Sequence, residues 1–454
     1  VALGASFSAG VSSGSLFIKS QEYSFPNSLA GAFSNAGGGF FEQPYVNDNI
    51  GGLLYGGTQI VAPRLYFTGA GIARLDATPT TEVTNILSGP YNNMGVAGAK
   101  SFHLVAPGYG NLAGVPLGLA NPYFARMASS PNATVLEDAV SQNGTFFTIS
   151  VMGGNDVLAY ATSGGSGVDQ TGNFDPSTYG SNDITDPNVF AAVESGIVAA
   201  LTANGAKGVL SNVPYVTDLP YFTSVPFNAV PLDAATAALL NGAFTEYNGG
   251  LLLLESLNLI TAEERASRTI SFSEGQNAVT IVDEDLTDLS ALGLPDYRQA
   301  TSNDLVVLPA SSFIGTLVDN NSSLINGLSV PLADRWVLTD IETQNVLTAT
   351  DAYAATVEAL ADAYGLAFVD LRLILAEAAS PTGIMFDDFN MSTQLIFGGL
   401  VGLDGVHLTA RGYALMANKF LEAIDTTYHS NFGASSSMLK AGNYVVIYPE
   451  NMPN

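Results

Sequence analysis

Along this chain short apolar runs alternate with segments whose apolar positions recur at helical spacing. "FFTISVMGG" (146–154) is rich in β-branched and aromatic residues and ends in glycines, which predicts a strand closed by a turn. "PNVFAAVESGIVAALTANG" (187–205) carries apolar residues at helical spacing with a glycine at its end, and "GVLSNVP" (208–214) then predicts a buried strand. Later "ETQNVLTATDAYAATVEALADAYG" (342–365) predicts a long helix closed by Gly365, and "LAFVDL" (366–371) a strand. "TARGYALMANKFLEAIDTTY" (409–428) predicts an amphipathic helix with Thr409 as its N-cap. Strands separated by helices imply an α/β fold whose sheet is mostly parallel and covered on both faces.

Between about 215 and 340 the pattern loosens. A helix around 232–247, β-like pieces at 278–283 and 304–308, and turns rich in Pro, Asn and Ser predict an insertion over the α/β core, a cap or subdomain. The expected organisation is therefore a core in two parts, 1–214 and 341–430, an insertion at 215–340, and a tail at 431–454 that ends in a strand-like "YVVIYP". The segment 163–187 is a long polar loop, and no internal repeat of fixed period is present.

At 454 residues with 47% hydrophobic residues, the chain has ample material for such a core. Its formal net charge is −27, from 41 acidic against 14 basic residues, which argues against nucleic acid and against anionic membrane surfaces as partners. The absence of cysteine excludes disulfides, thiolate metal sites and cysteine nucleophiles. No run reaches the ~18 apolar residues of a membrane span. The most apolar stretches, "LLLLESLNLI" (251–260) and "LIFGGLVGL" (395–403), are expected to be core. The sequence opens at Val1 without methionine, so a mature or trimmed product of an exported protein is the expectation.

Candidate chemistry narrows on three histidines. His103 has no carboxylate within four residues and His429 none within three, whereas His407 in "LDGVHLTARGYA" follows Asp404 by three positions. A histidine acting as general base needs its second ring nitrogen held by an acceptor, and Asp404 could reach it or converge with it on a third group. In "VALGASFSAG", Ser6 sits in a small-residue turn between Gly4 and Gly10, which is either an ordinary glycine turn or one that presents a nucleophile. In "VMGGNDVL", Asn155 follows a predicted strand at the edge where open α/β sheets bind ligands, although Gly-Gly-Asn-Asp also suits a plain turn. In "YNNMGVAGAKS", Gly95 and Gly98 would let backbone amides approach a ligand, or simply form a turn.

The order of these four pieces resembles the SGNH, or GDSL, hydrolase superfamily. That resemblance implies a three-layer α/β/α flavodoxin-like sandwich with a large insertion, covering roughly 1–215 and 340–430. It implies Ser6 as nucleophile, His407 as general base and Asp404 as its orienting partner, with an oxyanion hole formed by the Ser6 and Gly98 amides and the Asn155 side chain. The family's Gly-Asp-Ser-Leu block reads Gly4-Ala5-Ser6-Phe7 here, which removes a carboxylate beside the nucleophile but none of the groups the chemistry needs. The run "QEYSFPNSLAGAF…GGGFFEQPYVND" further resembles a long subgroup of exported lipoproteins from Bacteroidetes. The implied function is a carboxylic ester hydrolase acting on a small-molecule, lipid or carbohydrate ester. It needs no cofactor or metal, and it would be extracytoplasmic: periplasmic, secreted or held at the outer membrane by a lipid anchor upstream. The alternative from another class is a catalytically silent binding or assembly module of the same fold at the cell surface.

Other patterns point to less. Asp169, Asn173, Asp175, Asn182, Asp183 and Asp186 are oxygen donors of the kind calcium prefers but lack EF-hand spacing, so a solvated acidic loop is expected there and at "VDEDLTDLS" (282–290). "GGGF" (37–40) is no phosphate loop, because no Gly-Lys-Ser/Thr follows.

Overall fold

The computed structural model describes residues 1–453. Five short strands, β1 (Ala2–Gly4), β2 (Asn93–Gly95), β3 (Phe146–Ser150), β4 (Lys207–Ser211) and β5 (Ala367–Val369), form one wholly parallel sheet in the order β5-β4-β3-β1-β2. Consecutive residues within these strands, such as Phe147 and Thr148 or Val209 and Leu210, are buried, so both faces of the sheet are covered. The register sets Gly4 level with Gly95 on one side and with Ser150 on the other, so three strand ends finish side by side.

The principal helices are α1 (Ser6–Ala9), α2 (Phe25–Ser34), α3 (Gly154–Thr162), α4 (Pro187–Thr202), α5 (Asp340–Tyr364), α6 (Leu371–Ala379) and α7 (Ala410–Tyr428). Helix α7 packs on β5 and α2, while α5 packs on β4 together with α3 and α4. Local chemistry sets the helix boundaries much where the sequence puts them. Thr409 caps α7 by accepting the Gly412 amide, Thr339 and Glu342 form a reciprocal capping box on α5, and Gly365 ends α5 in the left-handed conformation.

Between 215 and 340 the chain forms antiparallel pairs 230–232 with 275–277, 280–282 with 297–299, and 305–306 with 337–338. Leu240, Leu251, Leu254 and Phe272 make a small apolar cluster there, while Val279, Ile281 and Val306 join the main core. The single helix expected over 232–247 is instead two, Ala234–Ala243 and Thr245–Ser256, broken at Phe244.

Three further expectations are corrected. In 251–260 only part is core: Leu251, Leu254 and Ile260 are buried, but Leu252, Leu253, Leu257 and Leu259 are exposed, because a helix lying on a small cluster hides one stripe and not its whole circumference. Likewise Leu400, Val401 and Leu403 are buried while Phe397 is exposed. The tail segment "YVVIYP" forms no strand. The fully buried Arg64 donates to the carbonyls of Pro449 and Glu450, and Tyr448 packs edge-on against Phe17, so side-chain contacts replace a ladder. Nor are the acidic loops simply solvated: Asp183 and Asp186 are buried and accept backbone amides, and Asp283 pairs with Arg298. Among the described residues, no helix is long and apolar enough to cross a membrane.

Candidate functional site

The site grows from the central strand. β1 ends at Gly4, whose φ of +147° is open chiefly to glycine, and a Cβ there would stand 2.4 Å from Ser8 Oγ and 2.8 Å from the Ser150 carbonyl. The turn thereby passes close over β3 and starts α1 with Ser6 as its first residue. Ser8 pins it from below, donating to the Leu3 carbonyl and bonding Ser150 Oγ at 2.6 Å. As the opening residue of a helix Ser6 has an amide with no intrahelical acceptor, and its amide and hydroxyl have no hydrogen-bond partner among the described residues.

His407 arrives from the far end of the chain, just before α7. Its Nδ1 lies 2.7 Å from Asp404 Oδ2, which settles the two options left open by the sequence in favour of direct contact. Asp404 is itself held: the Gly14 amide donates to Oδ2 at 2.6 Å, and the Val406 and His407 amides donate to Oδ1 at 3.0 Å. Burial works to raise the Asp404 pKa, but the His407 ring and these amides outweigh it and hold the carboxyl below its usual range. An ionised Asp404 takes the Nδ1 proton as a hydrogen bond, which leaves Nε2 as the free, basic nitrogen.

Ser6, Asn155 and His407 line one cavity of about 110 Å³, whose other walls are mostly aliphatic, Leu158, Val216, Leu219, Ile374, Leu375 and Met416 among them, with the ring of Phe7. Ala5, directly before Ser6, is also in this wall. Asn155 is the second residue of α3, directly beyond β3, and its Nδ2 donates to the Ala99 carbonyl at 2.8 Å. An amide nitrogen carries two protons, so one remains. Gly98 does not line this cavity. It lines a neighbouring one of about 920 Å³, and Asn155 and Leu158 form the wall common to both. Gly98 has φ +82°, and its amide has no acceptor among the described residues. Ser6, Gly98 and Asn155 therefore stand beyond β1, β2 and β3, at the point where the strand order reverses, and open α/β sheets bind ligands in that crevice.

A residue that sequence reasoning passed over holds the two loops together. Asp156, fully buried, accepts the Ser101 amide at 2.9 Å and the Ser101 hydroxyl at 2.7 Å, so it ties the segment after Gly98 to the helix carrying Asn155. Burial raises its pKa against the pull of Ser101 and of Lys100. The only hint was its place beside Asn155, since nothing in "AGAKSF" marks Ser101 as a partner. Of the other histidines, His103 lines the larger cavity and His429 is an exposed C-cap of α7.

Glu284, Asp334 and Glu342 are carboxylates close enough to share a cation, within 4.8 Å of one another, and none of them lines either cavity. Burial pushes Asp334 up to about 7 and Glu342 up to about 8, each with help from neighbouring carboxylates, so these two carboxyls hold protons near neutrality. Comparison of the chain with protein-family models, with curated proteins and with solved structures finds no match.

Proposed function

We propose that this protein is a serine ester hydrolase of the SGNH type, working through an acyl-enzyme on a carboxylic ester. One observation carries the proposal: Ser6, Asn155 and His407 face the same cavity, with Asp404 bonded at 2.7 Å behind the histidine. In the proposed reaction His407 Nε2 takes the Ser6 hydroxyl proton as Oγ bonds to the ester carbon. The amides of Ser6 and Gly98 and the remaining Asn155 N–H stabilise the oxyanion. The tetrahedral intermediate collapses, the carbon–alkoxy bond breaks, and His407 returns its proton to the departing alcohol. Water then repeats the sequence on the acyl-enzyme, releasing the acid and restoring Ser6. The proposal extends to the SGNH three-layer sandwich with 215–340 as its insertion, and to an exported, extracytoplasmic protein.

The test is hydrolysis of p-nitrophenyl esters of increasing chain length beside labelling with a fluorophosphonate. Ser6→Ala and His407→Ala are each expected to lower turnover by at least about a thousandfold, with labelling lost in Ser6→Ala. Each methylene that enters the aliphatic cavity should raise kcat/KM by about fourfold until the space is full. Full activity in either variant overturns the assignment. A folded protein that neither turns over nor labels is the binding module of the same fold.

A further inference from the structure

We infer that the cavity of about 920 Å³ beside the proposed oxyanion hole is a second substrate-binding chamber, built for an uncharged, polyhydroxylated ring group of about disaccharide size. The inference rests on the ester-hydrolase reading for its link to chemistry, through Asn155 and Leu158, which line both cavities. Its volume is that of a small-ligand site.

The wall selects against charge. The chain has 41 acidic residues, yet among the described residues no Asp or Glu lines this cavity. The single cation there, Lys100, is buried with its Nζ on the Asp183 carbonyl at 2.6 Å and in the field of Asp156 and Asp183, so its charge is already engaged. A charged occupant would leave water without a new partner, whereas a neutral one would not bear that penalty.

The wall also suits rings that carry hydroxyls. Phe102, His103, Tyr109 and Tyr179 form a continuous aromatic array: His103 stacks on Tyr109 with centroids 4.4 Å apart, and Phe102 meets Tyr179 edge to face at 5.6 Å. Such faces cover the apolar side of a ring. Burial, aided by the Lys100 charge, pushes His103 down to about 4, so the ring is neutral. Its Nδ1 accepts the Lys100 amide at 3.1 Å, which places the remaining proton on Nε2 as a donor without a partner among the described residues. The cavity beside Ser6 is mostly aliphatic, with Phe7 and the proposed base His407 as its ring-bearing residues. The two chambers thus fit an ester with one alkyl arm and one bulky, hydroxylated ring arm.

The test compares ethyl octanoate with sucrose monooctanoate, which share an acyl chain, on wild type, Thr162→Trp and Phe102→Ala. Thr162→Trp places bulk inside the chamber and Phe102→Ala removes part of its aromatic wall. The expected result is a fall in kcat/KM for the sucrose ester of at least about tenfold in both folded variants, with ethyl octanoate within about twofold of wild type. Parallel losses on both substrates, or no loss on the sucrose ester, overturn the chamber. Saturation-transfer NMR of sucrose monooctanoate on Ser6→Ala reads contact without turnover. Sucrose-ring protons saturated in Ser6→Ala and not in Ser6→Ala/Thr162→Trp support the chamber even if hydrolysis fails, and absence of ring saturation in Ser6→Ala overturns it. Failure of the hydrolase reading is seen separately, as no turnover of either ester by wild type.

Discussion

Glu194 offers a sharp test of the electrostatics beneath the site. It lies on α4 with no exposed surface, and neither carboxyl oxygen has a hydrogen-bond partner among the described residues. Burial, reinforced by the Asp156 carboxylate, pushes its pKa from 4.5 up to about 8. Below about pH 4.5 the folded and unfolded chains both hold this proton, and above about pH 8 neither does. Between these limits only the folded chain holds it, so stability falls as pH rises, by about 1.4 kcal/mol per pH unit and about 5 kcal/mol over the window. Glu194→Gln removes the titration while keeping size and shape. Denaturant unfolding of the α/β core at pH 5, 6, 7 and 8 should show the variant gaining on wild type by about 3.5 kcal/mol from pH 5 to pH 8, with the denaturant slope unchanged. The amide's own effect on stability does not vary with pH, so the pH-dependent part belongs to the carboxyl. Parallel stability curves for the two proteins would refute the assignment of a neutral, buried Glu194.

Other consequences can be checked alongside. Asp404→Asn should leave the His407 ring in place in the wrong tautomer and lower kcat by about 10⁴-fold, measured on any ester the wild type turns over. Asn155→Ala should lower kcat by about 10²–10³-fold with KM little changed, because an oxyanion donor acts in the transition state. Asp156→Ala strands the buried Ser101 amide and hydroxyl, so unfolding should show a loss of about 1–3 kcal/mol for each group left unpaired. The same variant should lower kcat more than it changes KM if the loop bearing Gly98 depends on this tie. Arg64→Ala removes the donor that holds the Pro449 and Glu450 carbonyls, and limited proteolysis should then cleave within 440–453 while wild type resists.

The pattern of the chain carried much of the fold because its signals are local. Thr409 before α7, the Thr339–Glu342 pair before α5 and Gly365 after it act within one helical turn, so their meaning survives without knowledge of the rest. The Asp404–His407 contact is of the same kind, two side chains three residues apart on one turn. Alternation of strands and helices likewise implied a parallel, doubly covered sheet. Where local signals were ambiguous, the expectations slipped. A leucine-rich run does not say which side of its helix is covered, and an apolar tail does not say whether a strand edge is free to receive it.

What the sequence by itself determined, then, is the local conformation and the supply of chemical groups: a serine at a strand–helix turn, a histidine with a carboxylate partner, an asparagine past a strand. Only the tertiary structure decided that these face one cavity, that Asp156 clamps Ser101, that Glu194 is buried without a partner, and that a second chamber free of carboxylates adjoins the first. The physical reason is that parallel strands bring residues from distant segments to one sheet edge, and burial is a property of everything that packs around a group. No window of sequence contains those neighbours.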